Sequence, residues 1–249
     1  MNPEELHNIY RAEEEFWWYQ GMRAITGAFL ERAQPPSFTR GLDAGCGTGR
    51  NALEFTSRYG VRMTGVDVAL GGVRYCRQRG LERSAVASAM ELPFAAESLD
   101  LVTTLDVLSH LPPGEDQRAL REFYRVLRPG GWVVARVPAF RALRSRHSQY
   151  IAEQHRYRAG EMLRKLAAAR FEILRWSYAN TFLSPVALLK SRVWEAIRRE
   201  EPHSGVADVL PGWLNRSLLA ALQLEAALLR RGVRFWFGQS LLVAARKAD

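Results

Sequence analysis

The chain has 249 residues, of which 47% are hydrophobic and 24% charged, the balance of a globular protein. Its two cysteines, Cys46 and Cys76, are too few for a disulfide framework or a cysteine metal cluster. The N-terminal stretch MNPEELHNIYRAEEEF is acidic and lacks the apolar centre of a secretory signal, and no apolar run is long enough to cross a bilayer. We therefore expect a cytoplasmic protein without a membrane span.

The formal net charge of +9 raises the question of a nucleic-acid partner. All but three of the 35 basic residues are arginine, a bias that genome composition alone produces. These arginines are scattered through predicted helices and do not form one block. A nucleic-acid partner is therefore the less favoured interpretation of the charge.

In chain order, the first element is a helix over Pro3–Arg32, which contains the aromatic run Phe16–Tyr19 and ends before Pro35-Pro36. Strands and helices then alternate, as in βαβ units with a parallel, doubly wound sheet. The predicted strands are Gly41–Ala44, Val61–Val66 (which ends at Asp67), Ser84–Ala87, Leu99–Leu105 and Trp132–Val137. The predicted helices are Arg50–Tyr59, Gly71–Arg79 and Asp116–Leu127, the last closed by Arg128-Pro129-Gly130-Gly131.

The pattern changes after Pro138. A basic loop to His155 precedes a helix, Ala159–Ala169, and a strand, Phe171–Tyr178; a mainly helical segment follows, and the strand Ser240–Arg246 is the last. We expect one domain over 1–249, with an N-terminal helical lid (1–36), a core (37–140) and a substrate side (141–249) that contains a helical insertion (180–237).

Four glycines lie within GLDAGCGTGR, the stretch from Gly41 to Arg50. The dinucleotide fingerprint requires a glycine where Arg50 stands, and no P-loop lysine follows, so neither motif is present. What remains is a strand, an acid and a G-x-G-x-G turn, which lets a ligand touch the backbone. Asp67 ends the next strand at 67 − 47 = 20 residues beyond Gly47, the spacing at which an acid meets ribose hydroxyls. The ligand predicted here is a nucleoside.

Four motifs in this order resemble the class I S-adenosylmethionine-dependent methyltransferases, in particular their type 11 small-molecule branch. They are LDAGCGTGR, VDVA, MELPFAAESLDLV and RVLRPGGWVV, and they lie between Phe38 and Ala139. The resemblance implies a Rossmann-like sheet of seven strands in the order 3-2-1-4-5-7-6, with an antiparallel final hairpin. It also implies S-adenosylmethionine as cofactor and S-adenosylhomocysteine as product.

The resemblance further implies which residues bind the cofactor. Asp43 would hold the loop and the methionine amino group, Asp67 the ribose, and Ser88 the adenine amino group in place of the family's usual aspartate. The full set of expected cofactor residues is Trp18, Arg23, Asp43, Gly45, Cys46, Gly47, Thr48, Gly49, Asp67, Val68, Ser88, Ala89, Met90 and Leu105.

Three residues are candidates for catalysis: His110, His155 and Asp106. An imidazole at His110 can take a proton from the acceptor, although a histidine that only packs the following turn is an equal alternative. His155 lies in a His-Arg-Tyr stretch similar to one found over the pocket in related enzymes, and Asp106 ends the fourth strand. Cys46 is expected to pack within the turn.

The four residues of the N-terminal aromatic run cannot all face one side of a helix, and about half are expected to be ordinary helix-packing aromatics. The resemblance implies that an N-terminal helix of this kind covers the cofactor. Trp18, Tyr19 and Arg23 are the candidates, with Arg23 paired to the methionine carboxylate. No ligand spacing for a metal is present, so we expect activity without one.

The favoured function is methylation of a small, apolar or aromatic molecule on oxygen, nitrogen or carbon, by a monomer or homodimer. The alternatives are a nucleic-acid or protein methyltransferase and a non-catalytic S-adenosylmethionine-binding protein. The apolar residues of 180–237 predict a cap over an apolar acceptor, with helix packing or a dimer interface as the alternative. On the cap interpretation, five arginines would face solvent, an anionic lipid or an acidic part of the acceptor: Arg192, Arg198, Arg199, Arg230 and Arg231.

Overall fold

The computed structural model describes residues 3–189, 204–205 and 210–248. The expectations for Arg192, Trp194, Arg198 and Arg199 concern positions outside the described residues. None of the helices in the described ranges combines the length and apolarity needed to cross a membrane.

The N-terminal arm consists of two helices, α1 (Pro3–Ala12) and α2 (Trp17–Arg32), so the prediction of one continuous helix was wrong. Phe16, between them, has an extended backbone (φ −72°, ψ 128°). The break places Glu13 inward, where it is 5% exposed. Its carboxylate accepts a hydrogen bond from the Thr48 hydroxyl and lies 2.8 Å from an Arg79 nitrogen. The chain thus gives up about one helical turn between α1 and α2 and gains two contacts of the buried Glu13 carboxylate.

The alternating strands and helices are present, and most of their bounds lie within one residue of those predicted. They are β1 (Arg40–Ala44), α3 (Arg50–Tyr59), β2 (Arg62–Asp67), α4 (Leu70–Gln78), β3 (Ser84–Val86), β4 (Leu99–Leu105), α5 (Glu115–Val126) and β5 (Leu127–Pro138). The exception is β5, which begins before the predicted start at Trp132. Its pairing with β4 jumps from Leu99–Leu127 to Leu101–Trp132, so the Pro-Gly-Gly stretch forms an irregularity within the strand.

After β5, the described residues contain four further helices and two strands. They are α6 (Arg146–Tyr150), α7 (Ala159–Ala168), β6 (Phe171–Ala179), α8 (Ser184–Leu189), α9 (Gly212–Arg230) and β7 (Ser240–Lys247). Short 3-10 turns lie at Leu108–His110 and Arg141–Leu143.

The sheet has seven strands in the order β3-β2-β1-β4-β5-β7-β6, as predicted. The pairs among β1 to β5 are parallel, and β7 runs antiparallel to both β5 and β6. Ser240 is paired with both Pro138 and Ala179. The carboxyl ends of β1, β2, β4, β5 and β6 therefore meet at one edge, which is where α/β sheets of this type bind ligands.

Helix α9 packs along α2 on one face of the sheet. Leu222, Ala226 and Leu229 of α9 are buried there. Gly21 of α2 lies so close that a Cβ at this position would be 2.3 Å from Leu222 Cδ1. Much of the apolar surface in the predicted insertion is thus used to pack the N-terminal helix.

Candidate active site

The glycine turn joins β1 to α3 at the carboxyl edge. Gly45, Gly47 and Gly49 have φ angles of 84°, 53° and 83°, a region that favours glycine. A Cβ on Gly45 would lie 2.2 Å from Val107, whereas one on Gly47 would meet nothing within 4 Å. The backbone at Gly47 therefore opens onto the edge of the sheet, where a ligand can approach it.

Asp67 holds this turn. Its Oδ2 accepts a hydrogen bond from the Gly47 amide (2.9 Å) and its Oδ1 accepts one from the Ala69 amide (2.8 Å). Each carboxylate oxygen has a second lone pair, so the same group can also accept from a vicinal diol. The ribose role of Asp67 remains a prediction, and the turn-holding role is a feature that the sequence did not show.

Asp43 is 2% exposed at the end of β1. Its Oδ1 accepts a hydrogen bond of 2.7 Å from the Thr103 hydroxyl on β4. The pKa of Asp43 is raised to about 6, chiefly by burial and also by the nearby Asp67, against the lowering effects of Thr103 and Arg136. The carboxylate is thus mainly ionised at neutral pH and lies directly below the turn, where a ligand ammonium would meet it.

The residues expected at the adenine form a short turn beside β2. The Ser88 hydroxyl accepts from the Met90 amide (3.1 Å), so part of its hydrogen-bonding capacity is used locally. Ala89 is 7% exposed and Met90 is half-buried, whereas Val68 is 69% exposed at the same edge. Val68 thus has an exposed apolar side chain at this edge, and its place in the cofactor site stays a prediction.

Asp106 follows β4 with a φ of 63°. Arg136 of β5 holds its carboxylate at 2.7 and 2.8 Å, and this arginine is only 4% exposed. The Arg136 guanidinium also lies 5.3 Å from the ring centroid of Trp18 in the lid. Because an arginine neutralises it, Asp106 is better suited to hold the β4 end and Leu105 in place than to act as a free base.

The lid helices lie over the turn. The Arg23 guanidinium donates to the Glu13 carbonyl (2.8 Å), and burial followed by the nearby Arg50 lowers its pKa. Burial raises the pKa of Glu13 despite its bonds to Thr48 and Arg79. The pKa of Tyr19 is raised by burial and then by three carboxylates, those of Glu13, Glu5 and Asp106.

The two candidate histidines lie on neighbouring segments. The Ser109 carbonyl accepts hydrogen bonds from the amides of Gln154 (2.8 Å) and His155 (3.1 Å). Burial lowers the pKa of His110, while Asp106 partly opposes this, so the ring is neutral at pH 7. His155 Nε2 lies 2.7 Å from Glu161 Oε1, so this ring already has a carboxylate partner. His110 is the better placed of the two to accept a proton.

Part of this chain is similar in sequence to known methyltransferases. A model described as "Methyltransferase domain" matches residues 42–135. The 27-O-demethylrifamycin SV methyltransferase of Amycolatopsis mediterranei is 30% identical over 135 residues, which is 51% of this chain and 49% of that protein. O-methyltransferase resE of Aspergillus sclerotiorum is 37% identical over 97 residues, 36% of each chain. The chain thus spans half or less of the length of these relatives.

Among solved structures, the [4+2]-cyclase SpnF is 27% identical, with a TM-score of 0.58 over 93% of this chain and 82% of that one. Residues 42–135 are thus similar to a methyltransferase domain, and a solved structure with some sequence likeness shares the fold over most of this chain. The family match covers the turn from β1 to α3, Asp67 and most of β5, so the residues described above lie within or directly against the methyltransferase domain.

Cys46 of the methyltransferase domain faces the core. Its Sγ lies 3.6 Å from that of Cys76, and both side chains are buried. The neighbouring thiol and burial raise the pKa of Cys46. The side chain packs, as predicted, and only the Cys46 backbone faces the turn.

Sequence reasoning missed three polar residues of this site: Glu5, Glu13 and Arg136. Arg136 carried a usable signal, because a charge inside the apolar run Trp132–Val137 needs a buried partner. Glu5 and Glu13 lie in an acidic stretch that resembles a solvated helix face, so neither could be recognised from its surroundings in the sequence. Among the described residues, no group of three or more His, Cys, Asp or Glu side chains is arranged to hold a metal ion.

Proposed function

We propose that this protein transfers a methyl group from S-adenosylmethionine to a hydroxyl of a small, largely apolar molecule. The observation that carries the proposal is the open backbone at Gly47 beside the Asp67 carboxylate, within a segment that matches a methyltransferase domain. The buried Glu5 carboxylate in the lid, which has no hydrogen-bond partner in the described part of the chain, also fits a cofactor that carries positive charge.

When bound, S-adenosylmethionine supplies a methyl group on a positively charged sulfur. The turn Gly45–Gly49, including Thr48, would hold its methionine part, with Asp43 below the ammonium group. Asp67 would accept hydrogen bonds from the ribose, and Val68, Ser88, Ala89 and Met90 would enclose the adenine. Leu105 and Trp18 would limit water near the sulfur, which favours transfer to the acceptor over side reactions.

Oxygen is the favoured acceptor atom because O-methylation requires removal of a proton, and His110 is suited to accept it. Burial lowers the pKa of His110, which favours the neutral imidazole. In the neutral ring one nitrogen is a donor and the other is free to accept a proton. One relative reported above is described as an O-methyltransferase, which agrees with this chemistry.

An apolar acceptor is supported by an aromatic cluster beyond the ends of β5 and β6. Phe140 lies 4.9 Å from both Tyr178 and Phe237, as measured between ring centroids. Phe237 and Phe182 are each 41% exposed. Such a half-exposed aromatic surface beyond the carboxyl ends of β5 and β6 suits a flat or branched hydrocarbon skeleton.

The test is to incubate the purified protein with S-adenosylmethionine and a panel of phenols, alcohols and aromatic amines, and to quantify S-adenosylhomocysteine by mass spectrometry. We expect product with at least one phenolic or alcoholic probe, and much less with His110→Gln. Turnover only with amine probes would refute oxygen as the acceptor atom. Failure to bind S-adenosylmethionine would refute the whole assignment.

The likeness to a protein described as a [4+2]-cyclase favours one second candidate, a protein that binds the cofactor without consuming it. The same incubation separates the two. A methyltransferase forms S-adenosylhomocysteine in proportion to the methylated acceptor. A protein that binds the cofactor without consuming it forms no S-adenosylhomocysteine, and its product has the same mass as the probe.

A further inference from the structure

Helix α1 lies over the start of α4. Tyr10 stacks on Tyr75 with ring centroids 4.3 Å apart, and His7 Nδ1 is 2.9 Å from the Tyr75 hydroxyl. Leu6 would touch a Cβ on Gly71 at 3.9 Å. Since α4 begins three residues after Asp67, α1 is seated directly beside the carboxylate expected to bind the ribose.

Glu5 on this helix is 1% exposed, and neither of its carboxylate oxygens has a hydrogen-bond partner among the described residues. Its neighbour Glu4 is exposed and accepts from the Tyr150 hydroxyl at 3.5 Å. An unpaired buried carboxylate is one of the most unfavourable groups that a fold can contain. Such a group suggests a ligand that compensates it.

The surroundings of Glu5 show which ligand would do so. Glu5, Glu13 and Asp106 all act on Tyr19 and raise its pKa, which places the three carboxylates around one phenol at the carboxyl edge. Arg79 pairs with Glu13, and Arg136 pairs with Asp106. Within the described part of the chain, Glu5 is thus the member of this group that forms no ion pair or hydrogen bond.

We propose that Glu5 binds a positively charged group of the cofactor, so that closure of α1 is coupled to cofactor binding. The inference rests on the proposed S-adenosylmethionine dependence and adds a cofactor residue outside the matched segment 42–135. Two groups of the cofactor have this chemistry, the sulfonium and the amino-acid ammonium. The product S-adenosylhomocysteine retains the ammonium and lacks the sulfonium, which allows the two to be distinguished.

The experiment is isothermal titration of S-adenosylmethionine and S-adenosylhomocysteine into wild type, Glu5→Gln and the matched control Glu4→Gln. We expect Glu5→Gln to weaken S-adenosylmethionine binding by about tenfold or more, the range for loss of a charged hydrogen bond, and Glu4→Gln to bind as wild type does. An equal loss for both ligands assigns Glu5 to the ammonium. A loss confined to S-adenosylmethionine assigns it to the sulfonium.

Thermal unfolding of the ligand-free proteins provides the second measurement. Because Glu5→Gln removes an unpaired buried charge, we expect its melting temperature to equal or exceed that of wild type. If that variant does not fold, Glu5→Ala is titrated in its place. Unchanged affinity for both ligands in a folded Glu5 variant overturns the inference and leaves the proposed function standing, whereas a wild type that binds neither ligand overturns both.

Discussion

Replacing Asp67 by alanine tests the centre of the cofactor site. The sequence alone assigns this carboxylate two hydrogen bonds to the ribose. The structure adds two hydrogen bonds within the protein, from the amides of Gly47 and Ala69 at 2.9 and 2.8 Å. The substitution should therefore affect two separate quantities, cofactor affinity and the stability of the turn.

The magnitudes follow from the number of bonds. Loss of two ribose hydrogen bonds at about 1–1.5 kcal/mol each weakens binding by about 2–3 kcal/mol. This corresponds to about 30- to 150-fold in Kd. Loss of the two half-buried bonds to Gly47 and Ala69, at about 1 kcal/mol each, lowers the free energy of unfolding by about 2 kcal/mol.

Calorimetric titration with S-adenosylhomocysteine measures the first quantity and urea unfolding measures the second. Glu82→Ala is the matched control, since Glu82 is an exposed acid that precedes β3 at the opposite edge of the sheet. It should change neither affinity nor stability. If Asp67→Ala loses stability but binds the ligand as wild type does, Asp67 only holds the turn and its ribose role is refuted.

Three further predictions concern stability, packing and proton transfer. Asp43 has an ordinary pKa near 3.8 that burial raises to about 6, so the native state holds this proton more tightly than the unfolded chain. The contribution of Asp43 to stability therefore falls as pH rises from about 4 to 6. At 1.36 kcal/mol per pKa unit, urea unfolding should show wild type losing up to about 3 kcal/mol relative to Asp43→Asn across that range. Parallel curves of unfolding free energy against pH for the two proteins would contradict this. Gly21→Ala forces a Cβ to within 2.3 Å of Leu222 and should cost about 1–3 kcal/mol of stability, whereas Gly71→Ala, with its first contact at 3.9 Å, should cost nothing measurable by the same unfolding assay. His110→Gln should lower kcat by about a hundredfold while titration shows unchanged S-adenosylhomocysteine affinity, and an unchanged kcat would show that the histidine only packs.

The sheet could be predicted from the sequence because its signals are local. Each strand of the core is a short apolar run, and each of the helices α3, α4 and α5 is bounded by glycine, proline or polar residues. The order of the strands followed from the family resemblance and was confirmed. The β5 boundary was missed because a Pro-Gly-Gly stretch indicates a turn, while pairing with β4 resumes on both sides of it.

For the predicted insertion, the local sequence pattern indicated helices and did not show where they pack. Its leucines indicate a helix with one apolar face, but periodicity does not show what that face packs against. In the structure, Leu222 and its neighbours pack on α2, and Asn215 accepts a hydrogen bond from the Trp17 amide at 2.9 Å. Deletion of 180–237 would therefore expose the core beneath α2, and loss of activity in such a truncation would no longer report on acceptor recognition alone.

The lid was the hardest part to predict, since its contacts are polar and join residues far apart in the sequence. Glu13 binds Thr48 of the turn and Arg79 at the end of α4, and Arg136 of β5 lies against Trp18. From the sequence alone, a carboxylate in an acidic helix is expected to face solvent. Its buried partners here lie on the sheet and on the segments after its strands, so they are known only once the order of β1, β2 and β5 is known. The core therefore determines where the cations lie, and the lid places carboxylates against them. Glu5 forms no such contact among the described residues, and this is why we propose a positively charged group of the cofactor as its partner.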